Sequence, residues 1–130
     1  MRLLDDSYAQ DIIDKFTEIA NNTAHSFGAT VEIDFHVPGT AVNNDKDSVD
    51  RTIKLIEEHY GKDAVVIDRP SMGGEDFSLY QQKSPGVFVW IGAAKEGNYE
   101  LHHTEKTLMD EECLKYGEEL LLYYIFDYLN

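Results

Sequence analysis

Apolar residues at Tyr8, Ile12, Phe16, Ile19, Ala20, Ala24 and Phe27 recur at helical spacing and predict a helix with one buried stripe. Asp5, Asp6 or Ser7 can cap its start, and Gly28 can end it. The period then changes. In Thr30-Val31-Glu32-Ile33-Asp34-Phe35-His36 apolar and polar positions alternate strictly, the mark of a half-exposed strand. Pro38-Gly39 breaks that strand, and Asn43-Asn44-Asp45 supplies caps for a second helix whose stripe is Val49, Ile53, Ile56 and Tyr60, with Gly61 as its stop. Ala64-Val65-Val66-Ile67 and Val87-Phe88-Val89-Trp90-Ile91 are apolar without alternation, as expected of strands covered on both faces. Between them, residues 71–80 read as a Gly turn running into a short helix. A last helix starts near Asp110 and runs through Leu114, Leu121, Tyr124, Ile125 and Tyr128. Its stretch Leu120-Leu121-Leu122-Tyr123-Tyr124-Ile125-Phe126 is apolar nearly all round and asks for cover on more than one side.

The alternation of helix and strand predicts an α/β fold. One seam stands out, at residues 37–45, between an exposed type of strand and a buried type. Before it lie a helix and one amphipathic strand, which leave both sheet edges open. That first part wants strands the sequence does not contain, and the second part shares the lack less severely.

Composition narrows the partners. The 130 residues fit one compact domain, and a net charge of −14 repels phosphate backbones and anionic membrane surfaces, so nucleic acid and membrane are not expected. No apolar run approaches the ~20 residues of a membrane span, and Met-Arg-Leu-Leu-Asp-Asp turns acidic where a signal peptide carries its apolar stretch. The single Cys113 excludes an internal disulfide and a cysteine-built zinc knuckle; a cytoplasmic protein is the expectation.

Two places could carry chemistry. Gly73-Gly74, between a buried strand and a helix, can present bare amides to an anion. The plainer reading is a turn capped by Glu75 and Asp76, worth ~1 kcal/mol and nothing else. His102-His103 falls on a loop beyond a buried strand, where an imidazole can be a metal ligand, a proton shuttle or merely exposed. Catalytic zinc takes three protein ligands, so these histidines alone make no site. The sequence has no nucleophile elbow, P-loop, dinucleotide fingerprint or HExxH, and Cys113 reads as a packed thiol. The acidic runs read as solvated helix faces.

Met72-Gly73-Gly74-Glu75-Asp76-Phe77-Ser78-Leu79-Tyr80 resembles the Met-Gly-x-Glu-Asp-Phe-x-x-Tyr signature of zinc-dependent amidohydrolases and metallopeptidases, the family of aminoacylases, hippurate hydrolases, indole-acetyl-amino-acid hydrolases and carboxypeptidase G. His103-Thr104, followed by Asp110-Glu111-Glu112-Cys113-Leu114 and Gly117, resembles that family's closing motif. Val31-Glu32-Ile33-Asp34-Phe35-His36, with Val42-Asn43 downstream, looks like the end of its lid or dimerisation domain. Complete members of the family are about three times this length. The resemblance therefore implies a C-terminal fragment, with residues 1–40 the last helix and strand of the inserted lid and residues 41–130 the C-terminal part of the catalytic α/β domain. The His-x-Asp metal pair and the Glu-Glu pair of such enzymes lie upstream of the lid and have no counterpart here.

Carried over by the same resemblance, His103 matches the last zinc ligand, with His102 as its competitor one position away. Gly73 and Gly74 match the turn lining the substrate pocket, Glu75 and Asp76 fix that turn, and Arg2 matches a lid arginine for the substrate carboxylate. The implied cofactor is zinc or another divalent metal in the full-length enzyme, held weakly or not at all by this chain alone. The implied function is the C-terminal portion of a metal-dependent hydrolase that cleaves the amide bond of N-acyl amino acids or small peptides, inactive alone. The alternative is a non-catalytic complementing or self-associating α/β module. Either reading expects a homo-oligomer or an N-terminal partner fragment.

Overall fold

The computed structural model describes residues 3–36, 40–73, 75–97, 100 and 103–130. Contacts divide the chain into two units, Met1–Asn43 with Asp68–Gly86, and Asn44–Ile67 with Val87–Asn130.

In the first unit, a 3-10 turn over Asp6–Tyr8 leads into α1, Ala9–Ser26. Asp5 accepts the Ser7 N–H at 2.9 Å, which holds its carboxyl below the usual carboxylate range. Asp6 accepts the Ala41 N–H through both carboxylate oxygens, at 2.9 and 3.1 Å, and so ties the start of α1 to the chain beyond the first strand candidate. At the other end Gly28, with φ 67°, donates to His25 O while Ala29 donates to Ala24 O. This paired closure needs a left-handed residue at Gly28, which glycine adopts without steric cost. Phe16 meets Phe35 edge-on, with ring centroids 5.6 Å apart. The expected stripe is nevertheless unburied, since Tyr8, Ile12, Phe16, Ile19 and Phe27 are all exposed.

The same unit holds α3, Ser78–Gln81. Gln81 anchors it twice, accepting the Asn43 N–H at 3.1 Å and donating to Gly86 O at 3.1 Å. The Phe77 ring lies 3.3 Å from where a Cβ on Gly86 would stand, so the glycine makes room for it.

In the second unit, α2, Lys46–Tyr60, starts at Asp45, whose carboxylate accepts the Ser48 N–H at 2.9 Å and is held below its ordinary pKa by that bond. Gly61, with φ 87°, ends it. A further helix, α4, spans Glu112–Leu129, with Asp110 accepting the Glu112 N–H at 3.1 Å just before its first turn. The two helices run antiparallel, as their side-chain pairs show: Arg51 with Asp127 at one end, Tyr60 with Glu119 and Tyr116 at the other. The His59 ring stacks flat on Tyr123 at 3.5 Å, and the Arg51 guanidinium lies 5.5 Å from the Tyr128 ring centre. Here sits what core the structure has. Leu55 and Leu120 are its buried hydrophobic residues among those described, with Ser48 and Thr52 beside them.

The expected strands do not form a sheet. Among the described residues no ladder appears, and the sole β pairing is an isolated bridge between Ala94 and Met109. Residues 30–36, 65–67 and 87–91 are neither helix nor strand, and Ala64 closes a 3-10 turn over Lys62–Ala64. Val66, Ile67 and Trp90, expected under cover on both faces, are more than two-thirds exposed. The physical reason is that a strand exists only against a neighbour that takes its N–H and C=O groups.

No helix among the described residues is long and apolar enough to cross a membrane.

Candidate functional site

The glycine turn is held by its own side chains. Ser71 Oγ accepts the Gly73 N–H at 3.1 Å, and Glu75 Oε1 accepts the N–H groups of Asp76, at 2.9 Å, and Phe77, at 3.1 Å. Three amides that an anion could have used are thereby already bonded, which favours the capped-turn reading of this segment for Gly73, Asp76 and Phe77. A Cβ on Gly73 would stand 3.3 Å from Ser71 Oγ, so the bare glycine also lets that hydroxyl approach. Ser71 is a residue the motif reading passed over. Its signal was local, a Ser two residues before a Gly in a turn. Ser78 was missed as well. It is only 1% exposed, and its hydroxyl has no hydrogen-bond partner among the described residues.

His103 lies in the second unit, on a loop that the Ala94–Met109 bridge and the Asp110 N–H to Ala93 O bond, at 3.0 Å, close at its base. The turn after it is fixed by the Thr107 N–H on Thr104 O, at 3.2 Å, with the two threonine hydroxyls 3.0 Å apart. His103 is exposed and has φ 68°, the left-handed region; among the described residues it is the one non-glycine there. Such a conformation costs about 1–3 kcal/mol and recurs at functional sites. Arg2, Gly74 and His102, also expected in the site, lie outside the described residues.

The donor set falls short of a metal centre. No group of three His, Cys, Asp or Glu among the described residues could hold a metal ion. His103 is a single donor, and a zinc site needs three or four. Cys113 is a free, half-buried thiol on α4. His25 lines an open cleft of about 460 Å3 at the end of α1 together with Asn21, Asn22 and Thr30; this cleft contains none of the expected site residues.

One ionisable group is clearly perturbed by packing. Tyr60, half-buried between the helices, donates to Glu119 Oε2 at 2.9 Å; burial first, and then the neighbouring carboxylate, push its hydroxyl up to about 12. This is an interhelical contact distant in sequence from the two candidate segments.

The description of peptidase family M20/M25/M40 matches residues 6–127. Thermostable carboxypeptidase 1 of Saccharolobus solfataricus is 32% identical over 121 residues, covering 90% of this chain and 30% of that protein. N-acetylcysteine deacetylase of Bacillus subtilis is 35% identical over 105 residues, 81% of this chain and 26% of the relative. N-acetyldiaminopimelate deacetylase of Ligilactobacillus salivarius is 33% identical over 108 residues, 82% of this chain and 27% of the relative. The chain thus spans 30% or less of the length of these relatives. No solved structure matches it.

Proposed function

Because this chain belongs to peptidase family M20/M25/M40, as its match over residues 6–127 shows, we propose that it is the C-terminal portion of a metal-dependent amidohydrolase or peptidase. In this reading the complete enzyme cleaves the amide bond of N-acyl amino acids or small peptides, and the chain alone does not. The names of the relatives support the substrate class, a carboxypeptidase and two deacetylases of N-acetylated amino acids. The observation that carries the reading is coverage: the family match takes in residues 6–127, yet the chain spans 30% or less of the length of its relatives.

In this reading residues 1–40 belong to a lid and residues 41–130 to the catalytic domain, where strand partners from the rest of the enzyme complete the α/β sheet. Residues 65–67 and 87–91 join no strand ladder among the described residues, and Val66, Ile67, Trp90 and Ile91 are exposed; both observations support that arrangement. His103 contributes one ligand to a centre completed elsewhere, with His102 as the competitor; Gly73 and Gly74 line the substrate pocket, and Arg2 receives a carboxylate. Glu75 fixes the turn, and its two accepted N–H groups support that role. Asp76 is assigned to the same turn. A cytoplasmic home remains part of the reading, supported by the lone free thiol. A second reading, a non-catalytic module that complements another chain or pairs with itself, is favoured by the scarcity of buried apolar residues among those described.

Calorimetry of the purified chain with zinc tests the assignment of His103. The expected result is weak binding or none, because affinity is shared among several ligands. Tight, stoichiometric zinc that survives His103→Ala but is lost on substituting His25 or His36 overturns the assignment.

A further inference from the structure

We propose that Asn44 is a positioning residue for His103: its carboxamide holds the segment that carries the base of the His103 loop. This rests on the reading of His103 as a metal ligand and adds to it a residue on the other side of the unit's sequence.

Of the three candidate caps of α2, Asp45 is the one that accepts the Ser48 N–H, and the Asn44 side chain is turned to another task. Asn44 Nδ2 donates to Phe88 O at 2.9 Å, and Asn44 Oδ1 accepts the Phe88 N–H at 2.8 Å. A carboxamide has one donor edge and one acceptor edge, so it meets both backbone groups of a single residue as a facing strand residue would. Residues 87–91 join no strand ladder among the described residues, and this pairing does at Phe88 what a ladder would do. The clamp has a firm root. Asn44 directly precedes the first turn of α2, where Asp45 O accepts the Val49 N–H at 2.9 Å and Ser48 and Thr52 are buried.

From Phe88 the chain leads to the stem of the His103 loop. On the way Ile91 rests on α4, its Cγ1 3.7 Å from where a Cβ on Gly117 would stand. Ala93 O then accepts the Asp110 N–H at 3.0 Å, and Ala94 pairs with Met109. Between Met109 and His103 lies the turn closed by the Thr107 N–H on Thr104 O, at 3.2 Å. Asn44 thus fixes one side of the stem, and the pairs at Ala93 and Ala94 pass that restraint to the side that carries His103. All these residues belong to the second unit. A left-handed residue such as His103 keeps its φ of 68° only while its surroundings hold it there, and a metal ligand serves only as far as it is oriented.

Amide hydrogen exchange and NMR of the histidine-labelled chain, with neither zinc nor substrate present, test the proposal. In Asn44→Ala the Phe88 and Asp110 amides are expected to exchange at least about tenfold faster, because a stem released at one end opens locally. The Ser48 amide, held by Asp45, stays within about threefold of its native rate. The His103 ring signals shift or broaden in the same variant. Leu55→Ala, which removes a buried side chain of the α2–α4 core and lowers global stability, leaves those signals in place, so general loosening is told apart from lost positioning. Should Asn44→Ala lose its helical circular dichroism, Asn44→Asp decides: it keeps the shape and the acceptor, lacks the N–H that Phe88 O receives, and speeds the Asp110 exchange in the same direction. A native Phe88 amide that exchanges as an unprotected one overturns the proposal. So does an unmoved Asp110 amide or unmoved His103 ring signals in a folded Asn44 variant, equal movement of those signals in Leu55→Ala, or loss of helix in both Asn44 variants. Tight zinc that survives His103→Ala would instead refute the ligand reading and leave the positioning result standing.

Discussion

Ser78 shows how much a single hydroxyl can reveal about its surroundings. A buried hydroxyl without a partner forfeits its hydrogen bonds to water, a cost of about 1–3 kcal/mol, so removing it while keeping the backbone is neutral or favourable. Ser78→Ala is therefore expected to leave the urea midpoint unchanged or to raise it; a fall corresponding to more than about 1 kcal/mol would mean that the hydroxyl has a partner in solution. Burial of Ser78 was not legible in the sequence, because it depends on what packs over the residue rather than on its neighbours in the chain. Asp45 and Gly28 were legible for the opposite reason. A cap and a left-handed closure are chemistry among residues three to five apart, and both formed where the local signals lay. His103 fell between: its identity was readable, its φ of 68° was not.

Among the elements, α1, α2 and α4 follow the apolar period, yet the buried face of α2 is not quite the predicted one. Val49, Ile53, Ile56 and Tyr60 are half-buried, and the fully buried positions are Ser48, Thr52 and Leu55, one residue earlier in each turn. Thr52 tolerates this because its Oγ1 donates to Ser48 O at 2.7 Å within the same helix. Strand signals failed for a different reason. Alternation and apolar runs describe a segment's fitness for a sheet, whereas the ladder requires a second segment. The α2–α4 pair carries a pH prediction through Tyr60. Its folded pKa, about 12, lies above the unfolded value near 10, so the contribution to stability is complete below pH ~10 and is lost as pH rises from there through the folded value. Helical circular dichroism followed from neutral to strongly alkaline pH should decline over that window in the native chain, and Tyr60→Phe should remove part of the decline. An identical alkaline profile in the variant contradicts the role given to the Tyr60–Glu119 bond.

For the whole molecule, the motifs around residues 72–80 and 103–117 identified the family, and the match over residues 6–127 bears that out. Whether the predicted strands pair was beyond reach in a physical sense, because a ladder depends on a second segment and not on a strand's own pattern. Among the described residues few apolar side chains are buried and no strand ladder forms, and the chain spans 30% or less of the length of the relatives it matches. The most direct measurement is hydrolysis of N-acetyl amino acids by the purified chain, with and without added zinc. The account predicts a rate indistinguishable from the uncatalysed background in both conditions, since one exposed histidine does not assemble a metal-activated water and a general base. Zinc-dependent turnover by the pure chain, abolished in His103→Ala, would contradict it.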